Sequence, residues 1–438
     1  MKTKSILLSV LFALSLSSCG DKDKELLEPL RVDPEKEELK PAEPVDAKPA
    51  EPETRHSYKP VLLAESQRAV HNKVQDFSWK LFKEVFTHRD AGTNLMVSPI
   101  SLTLDLGMFI NGLEGESLQE MLKTMGLESF SKAQINDYFK TMMKGIENAD
   151  EAATFKSANS FWYNQTRSAN QDFLSVIQTG YDAKTEAVDF TDPTTKDTIN
   201  AWCAEHTNNL IPKMIDQTDG TDLFHLMNAV YFKALWEEPF DKELTQKKPF
   251  HYANGKTADV DMMRQEIRTS YAETDLYQQC VKPFIDGSFQ MVFILPKEGV
   301  KLEDAIPSVL DFKVTATAEY YPGKPEMERV MLLAPKFKSE YTAEGLFRRM
   351  KDINPDLMLN WNDISIFNHK EEMLLDAIQK TYFMMDEEKV EAAAVTDIFA
   401  KVTSVPSEPI YMVLDRPFFY AIVETNTECP LFIGYYGE

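Results

Sequence analysis

Apolar residues in this chain recur with two different periods, and the two are segregated along its length. Val74, Phe77, Leu81, Phe82 and Val85 fall three and four residues apart, the spacing of one helix face. Ser98 followed by Pro99 opens a second helix through Leu102, Leu106 and Phe109, since proline suits the first helical position. Ile199–Ile211 reads as a further helix. Beyond it come strand-like runs at Leu223–Phe232, Gln290–Leu295, Val330–Ala334 and Phe418–Glu424. Asn254-Gly255 and Asp286-Gly287 supply turns between such runs. No repeat period appears. Helices mostly first and strands mostly last predict an α+β arrangement rather than alternating βαβ units.

One segment fits both periods. Residues 386–404 begin as helix by their Ala and Glu content. At period two, however, Val390, Ala392, Ala394, Thr396, Ile398, Ala400 and Val402 make one small or apolar face. Lys389, Glu391, Ala393, Val395, Asp397, Phe399 and Lys401 make the other, with four of the seven charged. That is the pattern of a half-buried strand. The residues leave two readings open, an Ala-rich surface helix and a segment that also exists as an inserted strand.

The first 60 residues are built differently. Lys2 and Lys4 precede an apolar stretch, Ile6 to Leu16, too short to span a bilayer. Residues 1–18 therefore read as a secretory signal. Leu16-Ser17-Ser18-Cys19-Gly20 resembles a bacterial lipobox, which makes Cys19 the expected lipidated first residue and a lipid chain the expected membrane anchor. From Gly20 to Pro60 there are twelve acidic residues, eight basic ones and seven prolines, with Tyr58 the lone aromatic. Such a stretch buries too little apolar surface to offset its ordering entropy, so 19–60 reads as a lipidated cysteine and a disordered, Pro-rich tether. The body is expected to be 61–438.

Charge and composition narrow the function. A net charge of −23 excludes a nucleic-acid binder, which needs a basic surface. Sixteen glycines in 438 residues exclude Gly-rich repeats. Cys19, Cys203, Cys280 and Cys429 form no CxxC pair and have no histidine at metal-ligand spacing, so the body cysteines read as small core residues. No GxSxG, HExxH, GxGxxG or Walker motif is present, and the seven histidines are scattered. Glu387-Glu388 are sequence neighbours of the kind found on solvated edges. Length alone suggests two or three domains.

Motifs in order along the chain carry a family resemblance. They are Asn94–Ser101 (NLMVSPIS); Ile199–Trp202 with Thr207, Asn208 and Ile211; Asn228–Lys233 (NAVYFK) with Trp236, Pro239 and Phe240; and Phe250 with Gly255, Lys256, Met262 and Met263. Pro335-Lys336-Phe337, Asp415–Phe418 and Pro430–Gly434 follow. With Glu387-Glu388, then Glu391-Ala392-Ala393-Ala394 and Thr396, the chain resembles the serpins, a family of protease inhibitors, over nearly all of residues 61–438. The resemblance implies one domain rather than two or three. It implies three β-sheets, about eight or nine helices and an exposed reactive-centre loop.

It also implies a mechanism and residue roles. The loop offers a bond to a serine protease, with cysteine proteases as a second class. The acyl-enzyme forms, and the cut loop inserts as a strand in the central sheet, trapping the protease covalently. The implied hinge is Glu387, Lys389, Val390, Glu391, Ala392, Ala393, Ala394 and Thr396. Counting from Glu387 puts the reactive bond at Thr403–Ser404, with Lys401 and Val402 as secondary positions. A threonine there suits elastase- or subtilisin-like enzymes, and Lys401 suits trypsin-like ones. Ser98, Ser101 and Asn228 resemble the polar cluster where the sheet opens, with Gln379 where the family usually has histidine. Trp236, Lys336 and Glu387 resemble the point of loop entry, with a Lys336–Glu387 ion pair expected.

Two departures bear on rate. The family prefers Gly where this chain has Lys389, and often Thr or Ser at Val390; slow insertion diverts the reaction toward plain cleavage. The leading expectation is a suicide inhibitor exported as a bacterial lipoprotein to the outer membrane, cell surface or periplasm. The alternative is a non-inhibitory member acting as a binding module or protease substrate. The expectation includes a monomer that is not an enzyme, with no metal, no cofactor and no nucleic-acid partner.

Overall fold

The helical stripe read from Val74 to Val85 lies within α1 (Glu65–Thr87), whose buried face is Val70, Val74, Phe77, Leu81, Phe82, Val85 and Phe86. The computed structural model describes residues 58–90, 92–300, 327–370, 379–387 and 408–438, all within one compact unit, Thr54–Glu438. Ser98 caps α2 (Pro99–Phe109): Pro99 takes the first helical position and the Ser98 side chain accepts from the Ser101 N–H. Next come α3 (Gly115–Met125), α4 (Lys132–Glu147), α5 (Gln171–Tyr181) and α6 (Thr195–His206). A late helix, α7, spans Leu346–Ile353. Seven α-helices are thus present among the described residues.

The helix expected over Ile199–Ile211 stops at His206. Asn208 and Asn209 adopt left-handed φ values of 51° and 59°, which break the helix. Thr207 then takes over the orphaned groups, its Oγ1 donating to the Cys203 carbonyl and accepting from the Ile211 N–H.

The strands form four hydrogen-bonded groups. The first contains β1 (Leu95–Val97), β15 (Pro430–Tyr436), β14 (Phe418–Glu424), β9 (Phe289–Pro296), β8 (Tyr277–Pro283) and β7 (Tyr271–Glu273), in that order. Every residue of β9, β14 and β15 is buried, because α1 covers one face: Phe82 and Phe86 pack on Phe419, and Phe86 also meets Tyr435. Gly434 faces Tyr420 across β14 and β15, and a Cβ there would lie 2.1 Å from the tyrosine ring. Only glycine leaves that ring its place.

The second group is β13 (Ile410–Val413), β10 (Glu328–Pro335), β6 (Thr257–Thr269) and β5 (Gln246–His251), with β10 and β13 parallel. Asn254-Gly255 turns β5 into β6, as its sequence predicts, with Gly255 at φ 82°.

The third and fourth groups matter most for function. β3 (Lys184–Val188), β2 (Thr154–Asn164) and β4 (Phe224–Lys233) form one. β11 (Phe337–Ala343) and β12 (Gln379–Met385) form the other. β4 and β12 pack against each other, but among the described residues no ladder joins them. Taken as one split sheet, these two groups bring the count of sheets to three, in an α+β fold.

Candidate functional site: a split sheet and its mouth

β4 and β12 are the facing edges of the split. Their C-terminal ends, Tyr231–Lys233 and Tyr382–Met385, line one cavity of about 260 Å³ together with Trp236 and Phe284. The two strands therefore point the same way. Chain leaving β12 at Asp386 stands at the mouth. A reversal there would send it back down the split antiparallel to both edges, the arrangement a two-sided ladder accepts.

Near the start of β12 a latch ties that strand to the segment joining β1 to α2. Gln379 Oε1 accepts from the Ser98 N–H at 2.8 Å, and its Nε2 donates to the Ser98 carbonyl at 2.9 Å. Thr381 Oγ1 donates to the Met96 carbonyl at 2.8 Å. Ser98, Ser101 and Gln379 thus meet at the N-terminus of α2, where Ser101 N–H reaches Ser98 Oγ at 3.5 Å. Asn228 lies on β4 and turns elsewhere: its Nδ2 donates to Ser157 Oγ at 2.7 Å and Asn159 Oδ1 at 2.6 Å on β2. Its buried Oδ1 has no partner among the described residues. A buried acceptor left open is costly, and a donor entering the split would relieve it.

At the mouth, Trp236 stacks on Phe284 at 4.5 Å with the planes 8° apart, and its indole N–H donates to the Asp386 carbonyl at 2.9 Å. Glu387 follows. Its carboxylate takes Lys336 Nζ at 2.6 Å on one oxygen and Thr245 Oγ1 at 2.6 Å on the other. Burial works against its charge, yet these two hydrogen bonds outweigh it and hold the carboxyl below the usual range. The same bond to Glu387 pushes the Lys336 amine above its ordinary value. The chain leaving β12 is therefore held at the mouth by one indole hydrogen bond, one ion pair and one hydroxyl.

The remaining sequence-derived positions lie outside the described residues. These are the hinge residues from Lys389 to Thr396, the bond at Thr403–Ser404 with Lys401 and Val402, and Cys19. Sequence reasoning missed Thr245, and no local signal marks it. It also missed Ser157 and Asn159, whose alternation on β2 is shared by any two-faced strand. Cys203, Cys280 and Cys429 are free and buried, and burial pushes the thiols up, to about 11 for Cys203 and about 12 for Cys280.

The sequence matches the family described as "Serpin (serine protease inhibitor)" over residues 72–437. Serine protease inhibitor 42Dd of Drosophila melanogaster is 29% identical over 342 residues, covering 76% of this chain and 89% of that protein. Alpha-1-antiproteinase of Rattus norvegicus is 25% identical over 382 residues, covering 84% and 88%. The native-state crystal structure of Tengpin, a thermophilic serpin, superposes with a TM-score of 0.72 at 27% identity, covering 87% of this chain and 97% of that one. With its split sheet, its latch at Ser98 and its matched span from residue 72 to residue 437, the chain belongs to the serpin family.

Proposed function

We propose that this protein is a suicide inhibitor of serine proteases, held at a bacterial surface or in the periplasm by a lipid on Cys19. Serpins are generally protease inhibitors rather than catalysts, and the relatives above carry inhibitor names. The observation that carries the reading is the unladdered pair β4 and β12, with the chain leaving β12 at its open end.

The chemistry belongs to the protease. Its serine Oγ attacks the carbonyl carbon of Thr403, the bond to Ser404 breaks, and the amine of Ser404 leaves with the proton. Residues 388–403 are then tied only to Glu387 and, by an ester, to the protease. Ser404 and the residues after it stay with β13, which remains paired with β10. The freed segment reverses at the mouth and fills the split, with Val390, Ala392, Ala394 and Thr396 inward. About ten ladder bonds at ~1 kcal/mol each supply the drive. Sixteen residues at ~3.3 Å carry the tethered enzyme roughly 50 Å. Insertion of this kind releases strain stored in the uncut form.

The test mixes the protein with an elastase, subtilisin and trypsin and resolves the products by denaturing gel and mass spectrometry. The expected result is an SDS-stable band near the summed mass and a released fragment beginning at Ser404, Thr403 or Val402. Lys389 and Val390 favour a second outcome, partial turnover as substrate. Complete loop cleavage with undiminished protease activity, and no gain in heat resistance, would point to a non-inhibitory member.

A further inference from the structure

Lys282 is the one buried lysine among the described residues. It lies on β8 between Val281 and Pro283 with 1% of its surface exposed. A buried ammonium is costly unless its protons find acceptors. Here Nζ donates to the Glu238 carbonyl at 2.7 Å and to Gln265 Oε1 at 2.5 Å. Its charge faces two aromatic rings, Phe240 at 4.5 Å and Trp236 at 5.1 Å. Gln265, from β6, donates in turn to the Glu238 and Pro239 carbonyls at 3.2 Å. The Glu237 N–H reaches the Pro283 carbonyl and the Ile285 N–H the Leu235 carbonyl, so the whole corner is strapped to the end of β8.

That corner is the continuation of β4, one lip of the split. It also carries Trp236, whose indole holds Asp386. We propose that Lys282 is a positioning residue for the mouth: charged, it pins the 236–240 corner and holds Trp236 on Asp386; neutral, it slackens the corner and speeds entry of the chain beyond Glu387. The rate effect rests on the reading of the split as a strand-accepting site.

The groups around it set where the change falls. Burial draws the Lys282 amine down from its ordinary value of 10.5 to about 7, against the opposing pull of Glu238, Cys280 and Glu237. The Cys280 thiol is itself kept neutral by burial. Gln265, Phe240 and Trp236 do not titrate. The Lys336–Glu387 pair keeps its charges across this window, since Glu387 is shifted down and Lys336 up. Entry therefore quickens as pH rises through about 7.

Two measurements on the full chain test this. The first is tryptophan fluorescence of the intact protein from pH 6 to 8.5, with Trp236→Phe subtracted. The expected result is a Trp236-dependent transition near pH 7 that vanishes in Lys282→Met and stays in its low-pH form in Lys282→Arg. No such transition, or the same transition in Lys282→Met, overturns the proposal. The second follows the gain of heat resistance after loop cleavage with protease in excess. The wild-type rate at pH 8 should exceed that at pH 6 by about thirtyfold, the size of one desolvated cation–ring contact. Both variants should lose the difference. Equal wild-type rates at the two pH values overturn the gating role. If cleaved protein gains no heat resistance at either pH, the strand-accepting reading falls and the rate effect with it. The fluorescence transition, read on intact chain, separates that outcome from a failure of Lys282 to position Trp236.

Discussion

Cutting the loop should make this protein more heat-stable, and the size of the effect follows from the two edges of the split. β4 offers ten residues and β12 seven. An inserted strand pairs with both, so at most about seventeen bonds form, fewer where the edges do not overlap. At a net ~0.5–1 kcal/mol each, the gain is on the order of 10 kcal/mol. Unfolding entropy near 2.1 cal/mol/K per residue gives roughly 0.8 kcal/mol/K for a body of this length. The melting temperature should therefore rise by about 10 °C or more. The assay is scanning calorimetry of intact protein and of protein nicked between residues 388 and 407, the cut being located by mass spectrometry. Val390→Asp places a carboxylate on the face that must be buried first, at a cost of several kcal/mol. Its cleaved form should gain only a few degrees. No rise for fully nicked wild type, or an equal rise for both proteins, would mean that no strand enters between β4 and β12.

Three further outcomes follow. Glu387→Gln removes the charge paired with Lys336 and should flatten the acid limb of stability: Glu387 is shifted down, so its contribution is present above its unfolded value of 4.5 and lost as pH falls through the folded one. Urea titrations at pH 7 and pH 3.5 check this. His71 is buried between the Tyr138 hydroxyl and the Thr427 carbonyl, and burial lowers its ring to about 4. The unfolded chain takes up the proton first, so stability should fall as pH drops from 6.5 to 4, by up to about 3 kcal/mol. His71→Gln should lose that dependence in the same titrations. Gly434→Ala drives a methyl into the Tyr420 ring and should cost about 3 kcal/mol or more, read as a lowered denaturation midpoint at unchanged slope.

The parts of the fold that were legible in the sequence are those fixed by neighbours. The α1 stripe, the Ser98-Pro99 opening of α2, the Asn254-Gly255 turn and the run Phe418–Glu424 all depend on periodicity or turn chemistry within a few residues. The end of α6 was misplaced because hydrophobic spacing continues to Ile211 while Asn208 and Asn209 turn the backbone left-handed. The site was legible only through the family resemblance, which brought Trp236, Lys336, Glu387, Ser98 and Gln379 to attention together. Thr245 and Lys282 escaped because their meaning lies in what faces them, Glu387 across the mouth and the 236–240 corner behind it. A lone lysine in an apolar strand reads as an edge residue until the fold closes over it. The two-faced segment at 389–402 lies outside the described residues.

The pairing of β1 with β15 sets a clock on biosynthesis. Leu95 meets Tyr435 and Val97 meets Ile433, partners about 340 residues apart. β14, which β15 must join, is itself made almost last. A ribosome delivers β1 early, yet among the described residues its only ladder is with β15. Contacts of such long sequence separation are slow to form and bear their loop-closure cost before any reward. The buried sheet under α1 therefore stays open until β15 has been made. Anything that meets the chain before β15 has paired meets a core that is not yet closed.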